Sequence, residues 1–133
     1  MRQCLMICLL FVCVLSSGCS TISDAKNAKG TGAFRVYDAP LEIVWSTVID
    51  CINTSQLQLV NENREEGYIL AQRGFSLDSY GEEVAVFVTA LSEKRTRVEI
   101  VSKKVLAANI FAPDWSKRLF EAIENRLKIK PAQ

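Results

Sequence analysis

Alternating apolar and polar residues, in four stretches joined by short turns, constrain the fold of this chain most strongly. The stretches lie at Leu57–Asn61, Tyr68–Leu77, around Val84–Val88 and at Arg97–Val105. Such alternation places successive side chains on opposite faces of a strand. Because turns of a few residues join consecutive stretches, the pattern predicts an antiparallel meander.

Two helical patterns and one further strand flank this meander. Phe34–Tyr37 alternates and predicts a first strand, and the apolar stripe over Leu41–Ile52 predicts a helix. A second stripe over Trp115–Leu127 predicts a closing helix with Asp114 as its N-cap. The order β-α-β-β-β-β-α predicts a two-layer α+β domain, with an antiparallel sheet packed on two helices.

The amino terminus is an apolar run behind a positive charge. Arg2 precedes the charge-free stretch Cys4–Leu15. A membrane-spanning helix needs about 20 apolar residues, so this stretch is short for a permanent span and is typical of an export signal. Small residues and a cysteine follow directly, in the order Leu15-Ser16-Ser17-Gly18-Cys19-Ser20.

This ending resembles the lipobox of bacterial lipoproteins. The resemblance implies cleavage between Gly18 and Cys19, loss of residues 1–18, and a diacylglyceryl group on the Cys19 thiol. One position departs from the family, which most often has Leu where this chain has Ser16. The other interpretation is ordinary signal cleavage near Ser17 or Gly18, which leaves Cys19 as a free thiol.

Location follows from the same resemblance. Two or three acyl chains, palmitate among them, would hold the protein stably on a membrane, since one chain alone gives only marginal binding. Ser20, rather than aspartate, follows the cysteine. The family sorts such chains to the outer membrane, and the folded domain would then face the periplasm.

The composition of the chain argues against most kinds of catalytic, metal-binding and nucleic-acid-binding site. The chain has no histidine, which removes the usual general base and the usual zinc ligand. Its net charge of +1 argues against binding nucleic acid by electrostatic attraction. Cys51, the one cysteine after Cys19, has no partner for an internal disulfide and borders an apolar stripe, so we expect a small buried hydrophobe. We therefore expect no enzymatic activity, no cofactor and no metal.

A polar stretch separates the predicted anchor from the predicted domain. Residues 19–33 contain Gly30 and Gly32 and lack apolar periodicity, which predicts a flexible tether. Fourteen such residues, 20–33, span roughly 20 Å on average and at most about 50 Å. Residues 34–133 are predicted to form a single domain.

The domain as a whole resembles small bacterial lipoproteins of unknown function, and its layout resembles the helix-grip domains of a β-barrel assembly lipoprotein. The first resemblance is carried by Ala39-Pro40 before Trp45, Glu66-Gly67-Tyr68-Ile69, Gly74-Phe75-Ser76, Tyr80-Gly81-Glu82, Val84–Val88, Thr96-Arg97-Val98-Glu99 and Asp114-Trp115. The second is carried by the order of the elements. This second resemblance implies a sheet that packs around a helix, and it implies no particular activity.

One face of the predicted sheet suggests where a partner binds. If the valines of Val84–Val88 face the helices, Tyr68, Leu70, Phe87 and Val101 lie together on the opposite face. Exposed, such a patch would suggest recognition of an envelope protein. The alternative is that the loop Leu106–Pro113 covers it. The main hypothesis is thus a lipid-anchored interaction or structural module; the alternative is a periplasmic module that binds a small molecule or lipid between sheet and helix.

Overall fold

A computed structural model describes residues 22–74, 81–104, 114–129 and 131 of the chain. Five strands and three helices lie in these ranges: α1 (Ile22–Lys26), β1 (Ala33–Tyr37), α2 (Leu41–Asn53), β2 (Gln58–Asn63), β3 (Tyr68–Arg73), β4 (Glu82–Ser92), β5 (Arg95–Lys104) and α3 (Trp115–Leu127). Of the helices in these ranges, none has the length and apolar character needed to cross a bilayer.

The five strands form one antiparallel sheet in the order β1-β5-β4-β3-β2. Strands β2 to β5 follow one another as a meander, and β1 returns to pair with β5, so the first and last strands lie side by side. The predicted α+β fold is confirmed. The third strand ends at Arg73, and Phe75 and Leu77, which were expected to continue it, lie outside the described residues.

Both long helices pack on one face of the sheet, which we call the inner face. The side chains between these layers are buried and form the main core: Tyr37, Ala39, Val44, Trp45, Val48, Cys51, Ile52, Leu57, Ile69, Ala71, Val84, Val86, Val88, Val98, Ile100, Trp115, Leu119, Phe120 and Ile123. The predicted helical stripes and the predicted inward valines of β4 belong to this core.

The ends of the long helices follow local chemistry. Asp114 caps α3 as predicted, since its side chain accepts hydrogen bonds from the backbone N–H groups of Ser116 and Lys117. Pro40 precedes α2 without a side-chain cap. Glu124 of α3 forms an ion pair with Arg35 of β1. That contact ties α3 to an edge strand of the sheet.

The stretch before β1 differs from the expected flexible tether. Residues 22–26 form α1, and turns over residues 27–32 lead into β1. Helix α1 packs against β3, β4 and β5. We call residues 22–32 the strap. Its order comes from tertiary contact, because a five-residue helix is far too short to be stable alone in water.

Candidate functional site

The face of the sheet opposite the long helices, which we call the outer face, carries the predicted partner residues. Tyr68, Leu70, Phe87 and Val101 all lie on it, together with Ala85. Strand register places Tyr68 opposite Phe87 and places Ala85 opposite both Leu70 and Val101. These side chains therefore form one apolar cluster, which we call the patch.

The patch is covered, which corrects the expectation that it is open to a partner. Tyr68 is 7% exposed and Phe87 is 3% exposed. Ala25 and Ala28 of the strap are buried in the same cluster. The physical reason is the hydrophobic effect, since leaving any one of these four large side chains in water would cost about 1.5–3 kcal/mol of folding free energy. The loop proposed as an alternative cover, 106–113, lies outside the described residues.

Two strap lysines extend over the aromatic rings of the patch. Nζ of Lys26 lies 4.3 Å from the centre of the Tyr68 ring, and Nζ of Lys29 lies 5.7 Å from that of Phe87. Lys26 also forms an ion pair with Glu66 at 2.8 Å. Hydrogen bonding to this carboxylate raises the pKa of Lys26. The two ammonium groups therefore lie over the aromatic rings in cation–π contacts, at the solvent-facing side of the patch.

Glu99 is a buried carboxylate beneath the strap. It lies on the outer face of β5, opposite Phe87 of β4 and Phe34 of β1, and is 0% exposed. Its Oε1 accepts hydrogen bonds from the backbone N–H groups of Gly30 at 2.5 Å and Gly32 at 3.1 Å. Its Oε2 lies 3.1 Å from Nη1 of Arg97 in an ion pair. Converging backbone N–H groups of this kind favour an anion.

The geometry of the two glycines makes this arrangement possible. Gly30 has a φ of 91°, in the region that L side chains rarely adopt. A Cβ on Gly32 would overlap the backbone oxygen of Ile100 and would lie 2.8 Å from Cγ2 of Val101. Gly32 therefore allows the strap to approach β5 this closely, and Gly30 supplies the backbone conformation of the turn.

We expect Gly32→Ala to destabilise the protein by about 1–3 kcal/mol, because the added methyl group forces the backbone of the strap away from β5. The measurement is the free energy of unfolding by urea. Gly74→Ala is the matched control, since a Cβ on Gly74 meets nothing within 4 Å. Equal midpoints for the two variants would contradict the close approach at Gly32.

A shallow cleft of about 240 Å³ opens where the strap, the β2–β3 turn and the end of β4 meet. Its lining includes Lys29, Arg64, Glu65 and Glu66, so it carries charges of both signs. Arg64 forms an ion pair with Glu42 of α2 at 2.6 Å. The cleft therefore combines apolar side chains with charged groups of both signs.

A second buried polar cluster lies on the inner face. Glu82 is 1% exposed; its Oε2 lies 3.9 Å from Nη1 of Arg73 and accepts a hydrogen bond from Nε1 of Trp115 at 3.4 Å. This contact connects the start of α3 to two neighbouring strands. An ion pair held in this way orients the helix on the sheet, and breaking one partner would leave a buried charge.

Cys51 is buried at 2% exposure and unpaired, as predicted. Burial raises the pKa of its thiol, although the nearby Arg126 acts in the opposite direction. The nucleophilic thiolate is therefore disfavoured at neutral pH. Within the described ranges, no three Cys, Asp or Glu side chains converge on a point that would hold a metal ion.

Sequence reasoning missed the residues that hold the strap. Glu99 was not assigned a role from the sequence, and Gly30 and Gly32 were interpreted as part of a flexible tether. One signal was present: Ala25, Ala28, Gly30 and Gly32 are small residues that allow a backbone to lie closely on a sheet. The predicted cleavage and lipidation site, Gly18 and Cys19, lies outside the described residues, and Ser20 and Thr21 separate it from the strap.

Comparison with known proteins identifies a distant structural similarity. No protein-family model matches the chain, and no curated protein sequence matches it. Among solved structures, the Zhui aromatase/cyclase from Streptomyces sp. R1128 is similar to 72% of this chain over 84% of its own length, with 15% sequence identity and a TM-score of 0.32.

Proposed function

We propose that this chain is a bacterial envelope lipoprotein, anchored by acyl chains on Cys19, whose domain is a non-enzymatic interaction or structural module. The observation that carries the proposal is the order of residues at the amino terminus: a positive charge, a charge-free apolar stretch, then Ser17-Gly18-Cys19. Each part corresponds to one step of export, cleavage and acylation.

The structure supports the proposal through the position of the strap. Helix α1 begins at Ile22, three residues after Cys19, and those residues reach at most about 10 Å. A domain so close to the acylated residue would stay at the membrane surface. Ser20 favours the outer membrane, with the domain in the periplasm.

The chemistry of the described residues supports a role without catalysis. Cys51 is buried with a raised pKa, and the carboxylates of Glu82 and Glu99 are engaged by neighbours that hold elements of the fold together. These carboxylates therefore have roles in holding the fold together. We therefore propose that this small anchored domain acts by recognising an envelope protein.

We expect Cys19→Ser to abolish acylation and leave either the uncleaved precursor or a soluble product. The thiol is the only group at that position that can take the diacylglyceryl chain, and a serine hydroxyl is a far weaker nucleophile. Mass spectrometry of the amino-terminal peptide and fractionation of cells measure the result. Cys51→Ala is the matched control, because it removes the other cysteine after the cleavage site and should leave the acyl mass unchanged.

A Cys19→Ser protein with wild-type processing, mass and membrane association would contradict the proposal. Crosslinking in intact cells, followed by mass spectrometry of what the acylated protein retrieves, tests the interaction role. Reproducible retrieval of one envelope protein by wild type, and not by the unanchored Cys19→Ser protein, is the expected result. Retrieval of none would contradict the interaction role while leaving acylation intact.

A further inference from the structure

The strap lies between two points whose separation matters for an anchored protein. From Cys19 to Ile22 the chain reaches at most about 10 Å, whereas from Cys19 to Ala33 it reaches at most about 50 Å. A docked strap therefore holds the domain at the membrane, and a released strap would give it the range of a fourteen-residue tether. Whether the strap is docked therefore determines how far the domain can extend from the membrane.

The strap is held at its two ends by different contacts. Near β1, Glu99 binds the N–H groups of Gly30 and Gly32. Near α1, the contacts are the ion pair of Lys26 with Glu66 and a hydrogen bond from Nζ of Lys103 to the backbone oxygen of Asp24 at 2.9 Å. The Glu99 contact is the buried one, and the α1 contacts are open to solvent.

The polar contacts can open without unfolding the sheet, but opening also uncovers the apolar cluster on which Ala25 and Ala28 pack. The side chains of Lys26 and Glu66 are 39% and 54% exposed, so their ion pair is screened by water. Release would return Glu99 to water with Arg97 still beside it on the same strand, so no charge would be left buried and unpaired. All five strands pair with one another without any bond from residues 22–32.

We propose that the strap is a releasable clamp that sets the distance between the domain and the membrane, with Glu99 as its latch. This inference rests on acylation at Cys19, as proposed above. In the latched state only residues 20 and 21 separate the acylated cysteine from α1, so the domain stays close to the membrane. In the released state the domain can reach partners several tens of ångströms from the membrane.

Limited trypsin digestion of the full acylated protein in membrane vesicles tests the latch. Lys26 and Lys29 are trypsin sites within the strap, and cleavage there would release the domain from the membrane. We expect Glu99→Ala to accelerate release of the folded domain by about tenfold or more, because two hydrogen bonds to a charged group are lost. Glu99→Gln, which keeps an acceptor oxygen, should fall between Glu99→Ala and wild type.

Glu93→Ala is the matched control, because Glu93 is an exposed carboxylate in the β4–β5 turn. Tryptophan fluorescence of Trp45 and Trp115, which lie in the inner core, reports whether each variant is folded. Release of folded Glu99→Ala domain at the wild-type rate would overturn the proposal.

Hydrogen exchange of the wild-type protein keeps the proposal testable if Glu99→Ala does not fold. The amides of Gly30 and Gly32 should exchange at least about tenfold faster than those of central strand β4, because a clamp opens locally while the sheet stays intact. Exchange at the same rate as β4 would mean that the strap opens only on global unfolding, and would overturn the proposal. This exchange does not depend on acylation, whereas an unmodified Cys19 would refute the anchor alone.

Discussion

Trp115→Ala is expected to lower the free energy of unfolding by about 3–5 kcal/mol. Trp115 is 3% exposed at the start of α3, and its ring fills space between the helix and the inner face of the sheet. Its Nε1 also donates to buried Glu82, which would lose this donor. A small domain has only about 5–15 kcal/mol of stability in total, so this one substitution removes a large share of it.

Thermal unfolding followed by circular dichroism measures the effect of Trp115→Ala, with an expected fall in Tm of more than about 12 °C for a domain of this size. Lys117→Ala, two residues along the same helix and exposed, is the matched control and should change Tm little. If Trp115→Ala has the same Tm as the control, the stability of the core does not depend on the docking of α3.

Phe87→Ser is expected to destabilise the protein by a similar amount, about 3–5 kcal/mol. Phe87 lies in the middle of the outer face, 3% exposed, between Tyr68 of β3 and Glu99 of β5. Serine would leave a cavity beneath the strap and place a hydroxyl where apolar groups surround it. An open outer face would predict the opposite result, a folded variant of nearly unchanged Tm that has lost a partner.

Leu91→Ser is the control for Phe87→Ser, because it makes a comparable change on the same strand at a position that is 53% exposed. We expect its Tm to stay within a few degrees of wild type. If Phe87→Ser also keeps the wild-type Tm, the strap does not cover the outer face in solution, and the apolar patch is again available to a partner.

Local pattern determined the elements of this domain. Alternation in β3, β4 and β5 assigned inner and outer faces correctly, because side chains alternate across any strand and burial on one face requires apolar residues at every second position. Spacing of apolar residues located α2 and α3, and Asp114 marked the start of α3, since capping depends on neighbouring backbone N–H groups.

What covers the outer face was decided by tertiary structure alone. A helix of five residues has no stability of its own, and its sequence is too short and too polar to show a period, so nothing local distinguishes the strap from a tether. In the sequence, Glu99 resembles an ordinary surface charge. Strand register places it between Phe34 and Phe87, and the turn at Gly30–Gly32 binds it although Gly32 lies 67 residues earlier in the chain. The contacts that order the strap join residues far apart in the chain, and only the folded sheet brings them together.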